Sequence, residues 1–169
     1  IGGQVTLEVI ENQSGNFTLA TIPGISAGGA VITSNNQSVI SNGGGSSVFS
    51  LSGVTNLTIQ NLIFERTAVP TASNFLLVGE NLNNVTLVGN TFRGVAGSTS
   101  TLNNLVRFNN SQAIVFIQNQ LSNGNVGYQA NAGTAGQPSF AHTVSNNTFE
   151  NIFGSGIIFD GTGGSNQAI

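Results

Sequence analysis

The six carboxylate side chains are the residues of this chain best suited to acid–base chemistry or metal binding. They are Glu8, Glu11, Glu65, Glu80, Glu150 and Asp160. Hydrolysis of a glycosidic bond needs two carboxyl groups that face one substrate. In the sequence repeats described below, Glu65 is aligned with Arg93, which predicts a surface ion pair. No second carboxylate joins Glu150 or Asp160, so the sequence predicts a protein without catalytic activity, metal or cofactor.

His142 is the only histidine in the chain. A catalytic role would require a carboxylate or a nucleophile beside it, and only Ser139 and Ser145 lie near it in the sequence. His142 also falls in a column of otherwise apolar residues. We therefore expect it at the edge of the core, hydrogen-bonded to a corner of the backbone.

Basic residues are scarce, since the chain contains Arg66, Arg93 and Arg107 but no lysine. Each arginine could bind a uronate carboxylate, but the three are predicted on different faces, and Arg107 is expected to pair with Glu80. A net charge of −3 with three cationic side chains argues against binding to nucleic acid or to an anionic membrane surface. The absence of cysteine excludes disulfides and thiolate metal sites.

Four stretches repeat one short pattern, and their first residues lie 28, 29 and 28 positions apart: NLTIQNLIF (56–64), NVTLVGNTF (84–92), AIVFIQNQL (113–121) and AHTVSNNTF (141–149). A fixed period of this length is typical of a solenoid. Residues two apart point to the same side of a strand, so the alignment predicts inward columns. These columns are Leu57, Val85, Ile114 and His142, then Ile59, Leu87, Phe116 and Val144, then Phe64, Phe92, Leu121 and Phe149.

A polar corner separates the second inward column from the third. Asn61, Gly89, Gln118 and Asn146 begin this corner, and Asn and Gly tolerate the positive φ that a tight corner requires. Asn90, Asn119 and Asn147 follow directly. We expect the stacked amides of this second column to hydrogen-bond from one coil to the next.

Each repeat also has an apolar segment upstream of the pattern, as in SSVFSLSG (46–53), SNFLLVGE (73–80), NLVRFNNS (104–111) and SGIIFDG (155–161). Three strands per coil predict an all-β, right-handed parallel β-helix of about six coils of roughly 28 residues. One domain is expected over 1–169, with irregular coils over 1–45, regular coils over 46–161 and a flexible tail over 162–169. Loops are predicted over 67–72, 94–101 and 123–137.

The repeat N-Φ-T-Φ-x-N-N-T-F, where Φ is apolar, resembles right-handed parallel β-helix proteins of the pectate-lyase-like superfamily. NVTLVGNTF (84–92) and HTVSNNTFEN (142–151) carry the resemblance, which covers roughly 46–161. That superfamily includes polysaccharide lyases, glycosidases, phage tailspikes and autotransporter passengers, so function has to be argued from a site. GGAV (28–31) and FIQN (116–119) are similar to the tetrapeptides of polymorphic outer-membrane autotransporters of chlamydiae, which implies a surface-exposed adhesin.

We therefore expect a non-catalytic module of adhesin or passenger type at the cell surface, without nucleic-acid binding or membrane insertion. The predicted loop over 123–137, with Tyr128, Gln129 and Asn131, is the candidate contact for a host-surface or glycan ligand. One alternative is a self-assembling filament subunit, in which copies stack end to end through open strand edges. A second alternative is a β-helix protein that binds or degrades a polysaccharide.

Overall fold

The computed structural model describes residues 4–20, 29–131 and 141–160. These ranges contain strands and turns but no helix, and accordingly none of them holds a helix that could span a membrane. The strands are β1 (Val5–Glu8), β2 (Gln13–Ser14), β3 (Phe17–Ala20), β4 (Ala30–Thr33), β5 (Val39–Asn42), β6 (Phe49–Ser52), β7 (Thr55–Gln60), β8 (Ile63–Arg66), β9 (Asn74–Glu80), β10 (Asn83–Val88), β11 (Thr91–Arg93), β12 (Asn103–Asn109), β13 (Gln112–Ile117), β14 (Gln120–Asn131), β15 (Thr143–Ser145) and β16 (Thr148–Asp160).

The strands stack coil on coil into a parallel β-solenoid. One sheet, here called the first face, has six parallel strands in the order β1-β4-β7-β10-β13-β15. Leu57 pairs with Val85 and Val85 pairs with Ile114, so these central coils return to the same position after 28 or 29 residues. Five full turns of the chain separate β1 from β15, the first and last strands of this six-stranded sheet. The predicted fold class and period are confirmed.

The other strands form two further faces. The second face stacks β2, β5, β8, β11 and the first parts of β14 and β16, and the third face stacks β3, β6, β9, β12 and the later parts of β14 and β16. Because β14 and β16 run without a break through the corner between these faces, the two faces form one continuous sheet. The three strands predicted for each coil are therefore present. The right-handed sense of the helix stays a prediction.

The predicted inward columns form the core. All twelve of their residues except Phe149 are buried. Phe64 stacks on Phe92 with ring centroids 5.1 Å apart, and Phe92 contacts Phe116 at 5.7 Å. Each buried aliphatic or aromatic side chain stabilises the fold by about 1.5–3 kcal/mol. Phe149 is only partly buried, because it lies in the last coil that the structure describes.

The predicted corner residues have the conformation that their types favour. Asn61, Gln118 and Asn146 have φ values of 57°, 56° and 55°, and Gly89 has 65°. A left-handed residue turns the chain sharply between the first and second faces, and asparagine tolerates this conformation better than other residues with a Cβ atom. The corner column was therefore placed correctly from the sequence.

Asn90, Asn119 and Asn147 form the predicted amide ladder at this corner. The backbone N–H of Asn90 donates to Oδ1 of Asn119 over 2.9 Å, and the N–H of Asn119 donates to Oδ1 of Asn147 over 2.8 Å. The amide nitrogens of the ladder also donate back to the preceding coil, as Nδ2 of Asn119 does to the carbonyl of Leu87 over 3.0 Å. Asn90 and Asn119 are almost fully buried. Each side chain thus provides hydrogen bonds to backbone groups of a neighbouring coil at the corner, where the strand pairing is interrupted.

The N-terminal coils, whose register the sequence left open, follow the same stacking. Val5 pairs with Ala30, Gln13 with Ile40, and Phe17 with Phe49. These pairs are 25, 27 and 32 residues apart, so no single period aligns the three faces of this part of the chain. The expected flexible tail over 162–169 lies outside the described residues.

The prediction of a loop over 123–137 is wrong for the part that the structure describes, because 123–131 belong to β14. The glycines that suggested a loop lie where there is no room for a side chain. A Cβ atom on Gly124 would come within 2.7 Å of the side chain of Leu105, and one on Gly127 within 2.6 Å of the backbone of Gly156. Glycine is required there for close packing between coils. The other two predicted loops, over 67–72 and 94–101, contain no strand residues.

Candidate functional site

His142 and Tyr128 form a buried hydrogen-bonded pair near the C-terminal end of the described solenoid. Nε2 of His142 lies 2.9 Å from the carbonyl oxygen of Ser111, and Nδ1 lies 2.6 Å from the hydroxyl of Tyr128. Because a carbonyl only accepts, Nε2 carries the proton and Nδ1 accepts from the tyrosine. The expectation of a core histidine bonded to the backbone at a corner is confirmed.

The environment of this pair keeps both groups neutral. Burial lowers the pKa of His142, although the hydrogen bond to the carbonyl of Ser111 acts in the opposite direction. Burial also raises the pKa of Tyr128. Tyr128 has no exposed surface, so it cannot serve as the surface contact that the sequence suggested. The other two residues of the predicted contact, Gln129 and Asn131, lie in β14 and are half-buried. Nδ2 of Asn131 donates to Oδ1 of Asn109.

Arg66 is also buried inside the solenoid, at the corner between the second and third faces. Its Nη1 atom donates to the carbonyls of Asn74 and Asn104, at 3.2 and 3.4 Å. Nε and Nη2 have no hydrogen-bond partner among the described residues. Burial lowers the pKa of Arg66 to about 10, so the guanidinium stays charged at neutral pH. It joins the starts of β9 and β12, which is a structural role.

Of the other two arginines, Arg93 is exposed and Arg107 is half-buried. Arg93 and Glu65 approach to 3.7 Å, which confirms the predicted ion pair. Arg107 does not pair with Glu80: its guanidinium lies 4.7 Å from the ring centre of Phe75, while Nδ2 of Asn109 donates to Glu80. The register explains this difference, because Glu80 is paired with Asn109 and not with the arginine. Within the described ranges, no cluster of acidic or histidine side chains could hold a metal ion.

A groove that combines an exposed aromatic ring with polar groups lies at the corner between the second and third faces. We call it the corner groove. It has a volume of about 440 Å³ and is lined by Gly97, Ser98, Thr99, Asn123, Asn151, Ile152 and Phe153. One wall is the loop between β11 and β12, and the other is the corner of β14 and β16, which pass through without a loop. The base of the loop is held by Nδ2 of Asn125, which donates to the carbonyl of Thr101.

A β-bulge in β16 places Phe153 at this groove. Gly124 pairs with Ile152 and Val126 with Ser155, so Phe153 and Gly154 together lie opposite the single residue Asn125. A Cβ atom on Gly154 would lie 2.3 Å from Oδ1 of Asn125, so only glycine fits at this point of the bulge. Phe153 is 40% exposed, unlike the phenylalanines of the core columns.

Asn123 and Asn151 form the floor of the corner groove. Both have positive φ, at 59° and 53°, and Nδ2 of Asn151 donates to Oδ1 of Asn123 over 3.3 Å. Within the described part of the chain, Nδ2 of Asn123 and Oδ1 of Asn151 have no further partner. The pair therefore offers one donor and one acceptor to a ligand.

A shallower groove of about 290 Å³ lies on the first face. Its lining is Gln4, Gly29, Ala30, Asn56, Leu57, Thr58, Asn84 and Thr86. Nδ2 of Asn84 donates to Oδ1 of Asn56 over 2.7 Å, which forms a second, exposed amide ladder. No aromatic side chain lines this groove, so it offers hydrogen bonds but no flat apolar contact.

The sequence did not predict the corner groove. The available signal was one extra residue: Asn123 and Asn151 are 28 positions apart, whereas Tyr128 and Ile157 beyond the bulge are 29 apart. An insertion of one residue in a strand is the mark of a bulge, but the sequence does not say which side chain turns outward.

Comparisons with protein-family models, with curated proteins and with solved structures find no match. The class of protein is therefore defined by its fold alone, as a parallel β-solenoid of three-stranded coils.

We expect the protein to lose stability as the pH is lowered from 6.5 to 5. In the unfolded chain His142 takes up a proton near its ordinary pKa of 6.5, whereas its lowered pKa in the folded protein keeps it neutral. Since the unfolded state then binds more protons, this stability is complete above pH 6.5 and decreases below it. The melting temperature in buffers from pH 7.5 to 5 measures the effect.

The matched control is His142→Gln, which keeps a hydrogen-bonding side chain but cannot titrate. Because the chain has no other histidine, the melting temperature of this variant should depend much less on pH between 6.5 and 5 than that of the wild type. A flat profile for the wild-type protein over the same range would contradict the buried neutral imidazole.

Proposed function

We propose that this chain is a non-catalytic β-helix module of adhesin or passenger type, displayed outside the cell, that binds a ligand on its outer surface. The observation that carries the proposal is the separation of polar groups in the fold. Two titratable groups, His142 and Tyr128, are sealed in the core as a neutral pair, while the carboxylates lie partly or fully exposed and form no cluster of three or more among the described residues. The two outer grooves described above are lined by uncharged side chains.

The solenoid architecture supports the same function. A stiff stack of coils holds its outer side chains at fixed spacing, and loops at its corners vary without disturbing the core. The extracellular location and the passenger-type assignment rest on the repeat pattern that resembles pectate-lyase-like proteins. The scarcity of charge agrees with a protein whose surface is solubilised by amides and hydroxyls.

Binding without turnover is the expected result when the purified protein is applied to immobilised neutral and acidic glycans and to host-cell surfaces. Retention on at least one of these surfaces is measured by fluorescence of the labelled protein. The same polysaccharides, incubated in solution, should show neither new reducing ends nor the ultraviolet absorbance of unsaturated uronate. Appearance of either product would show that the protein is an enzyme. Absence of binding to all of these surfaces would contradict ligand display.

A second candidate function, self-assembly into filaments, is favoured by the exposed apolar side chains of β1. Val5 and Leu7 belong to inward columns, because they pair with the buried Ala30 and Ile32. They are nevertheless 42% and 47% exposed, and among the described strands nothing pairs with the outer edge of β1. The first coil of one copy could therefore stack on the last coil of another, in a head-to-tail assembly that does not close.

For this second candidate, the average mass from light scattering should rise with protein concentration. Leu7→Lys places a charge in the stacking surface and should hold the protein in the monomeric state. Thr6→Lys adds the same charge to the outward side of the same strand and should still assemble. A wild-type protein that stays monomeric at every concentration would rule out the filament.

A further inference from the structure

We propose that the corner groove binds one uncharged pyranose unit of a glycan, with the apolar face of the sugar on the ring of Phe153 and its hydroxyls on Asn123 and Asn151. This inference rests on the proposed ligand-binding function and assigns that function a site and a ligand class. It replaces the contact suggested for Tyr128, which is buried.

The first argument is the position of the aromatic ring. Exposing a phenylalanine forgoes the stabilisation that its burial would give, and the core phenylalanines of neighbouring coils are fully buried. Phe153 is turned outward by a bulge in which the close contact between Gly154 and Asn125 leaves room only for glycine. Together with Ile152, the ring gives the groove an apolar wall beside polar groups, a combination found in small-molecule sites.

The second argument is the arrangement of polar groups around the ring. The floor offers the Nδ2 donor of Asn123 and the Oδ1 acceptor of Asn151, and the loop wall carries the hydroxyls of Ser98 and Thr99. A sugar hydroxyl both donates and accepts, so it can bond to an amide pair of this kind. The volume of about 440 Å³ lies within the range of small-molecule sites.

The third argument is charge. None of the residues that line the corner groove is charged. In the strand register Arg93 and Glu150 lie on either side of Ser122, directly before Asn123, so opposite charges flank the groove and no net charge there favours a uronate or a sulfated sugar. A neutral hexose or N-acetylhexosamine unit is therefore the class that fits the groove.

The test compares variants in calorimetric titrations with neutral oligosaccharides, after an array of neutral and uronate-containing glycans has selected the probe. Phe153→Ala should weaken binding at least tenfold, because it removes the flat contact surface. Phe153→Tyr should retain most of the affinity, since it keeps the ring. Asn151→Gly, which keeps the left-handed backbone but removes the amide, should also weaken binding.

The matched control is Val69→Ala, which truncates another exposed apolar side chain, in the loop between β8 and β9 and outside the groove. It should bind like the wild type, and melting temperatures confirm that all variants are folded. If the wild type binds a neutral glycan and Phe153→Ala binds it equally well, the site is wrong while ligand display stands. If Phe153→Ala abolishes binding to a peptide or an acidic glycan instead, the ligand class is wrong. A wild type that binds no glycan of the array overturns the proposed site, and ligand display fails as well only if the protein also binds no host-cell surface.

Discussion

The stacking of parallel coils depends on satisfying the backbone groups at the corners, where the chain leaves one sheet and enters the next. Strand ladders satisfy the straight segments, but a corner has no strand beside it. The column of Asn90, Asn119 and Asn147 supplies the missing partners, since each amide oxygen accepts an N–H of the preceding coil and each amide nitrogen donates to a carbonyl there. Because unpaired buried backbone groups are costly, this ladder fixes the coil-to-coil register.

Once the register is fixed, the interior has little room for chemistry. Phenylalanine and aliphatic columns fill the cross-section, and the polar groups that enter it are tied to neighbouring coils. His142 and Tyr128 bond to each other, and Arg66 bonds to the carbonyls of Asn74 and Asn104. Interactions with other molecules are therefore left to the outer faces, the corners and the ends. For this reason we propose the binding site at a corner, where a bulge exposes one aromatic side chain.

Much of this architecture could be predicted from the sequence, because equivalent positions of successive coils carry similar residue types. The inward columns, the left-handed corner residues, the amide ladder and the pair of Arg93 with Glu65 follow from aligning four repeats. The first coils could not be aligned, since the spacing between their paired strands varies from 25 to 32 residues. The strand over 123–131 was mistaken for a loop because its glycines were interpreted as turn residues. In the structure they allow close packing between coils.

The corner groove could not be predicted for a different reason. It depends on the loop between β11 and β12, on Asn125 in β14 and on the extra residue in β16 that packs Gly154 against Asn125. These three parts belong to three successive coils. Arg107 illustrates the same limit: it pairs with Val78, two residues before Glu80, and its guanidinium contacts Phe75 instead of the carboxylate. The aligned columns identify which residues stack on one another, but contacts between different columns depend on the three-dimensional packing.

The central claim, that the amide ladder holds the coils in register, is tested most directly by urea denaturation of Asn119→Ala beside Gln120→Ala. The first change leaves the N–H of Asn90 and the carbonyl of Leu87 buried without their partner, whereas Gln120 is exposed. We expect Asn119→Ala to lower the free energy of unfolding by about 2–4 kcal/mol, and Gln120→Ala to change it by less than about 0.5 kcal/mol. Equal, small losses for both variants would show that the ladder does not determine the stacking.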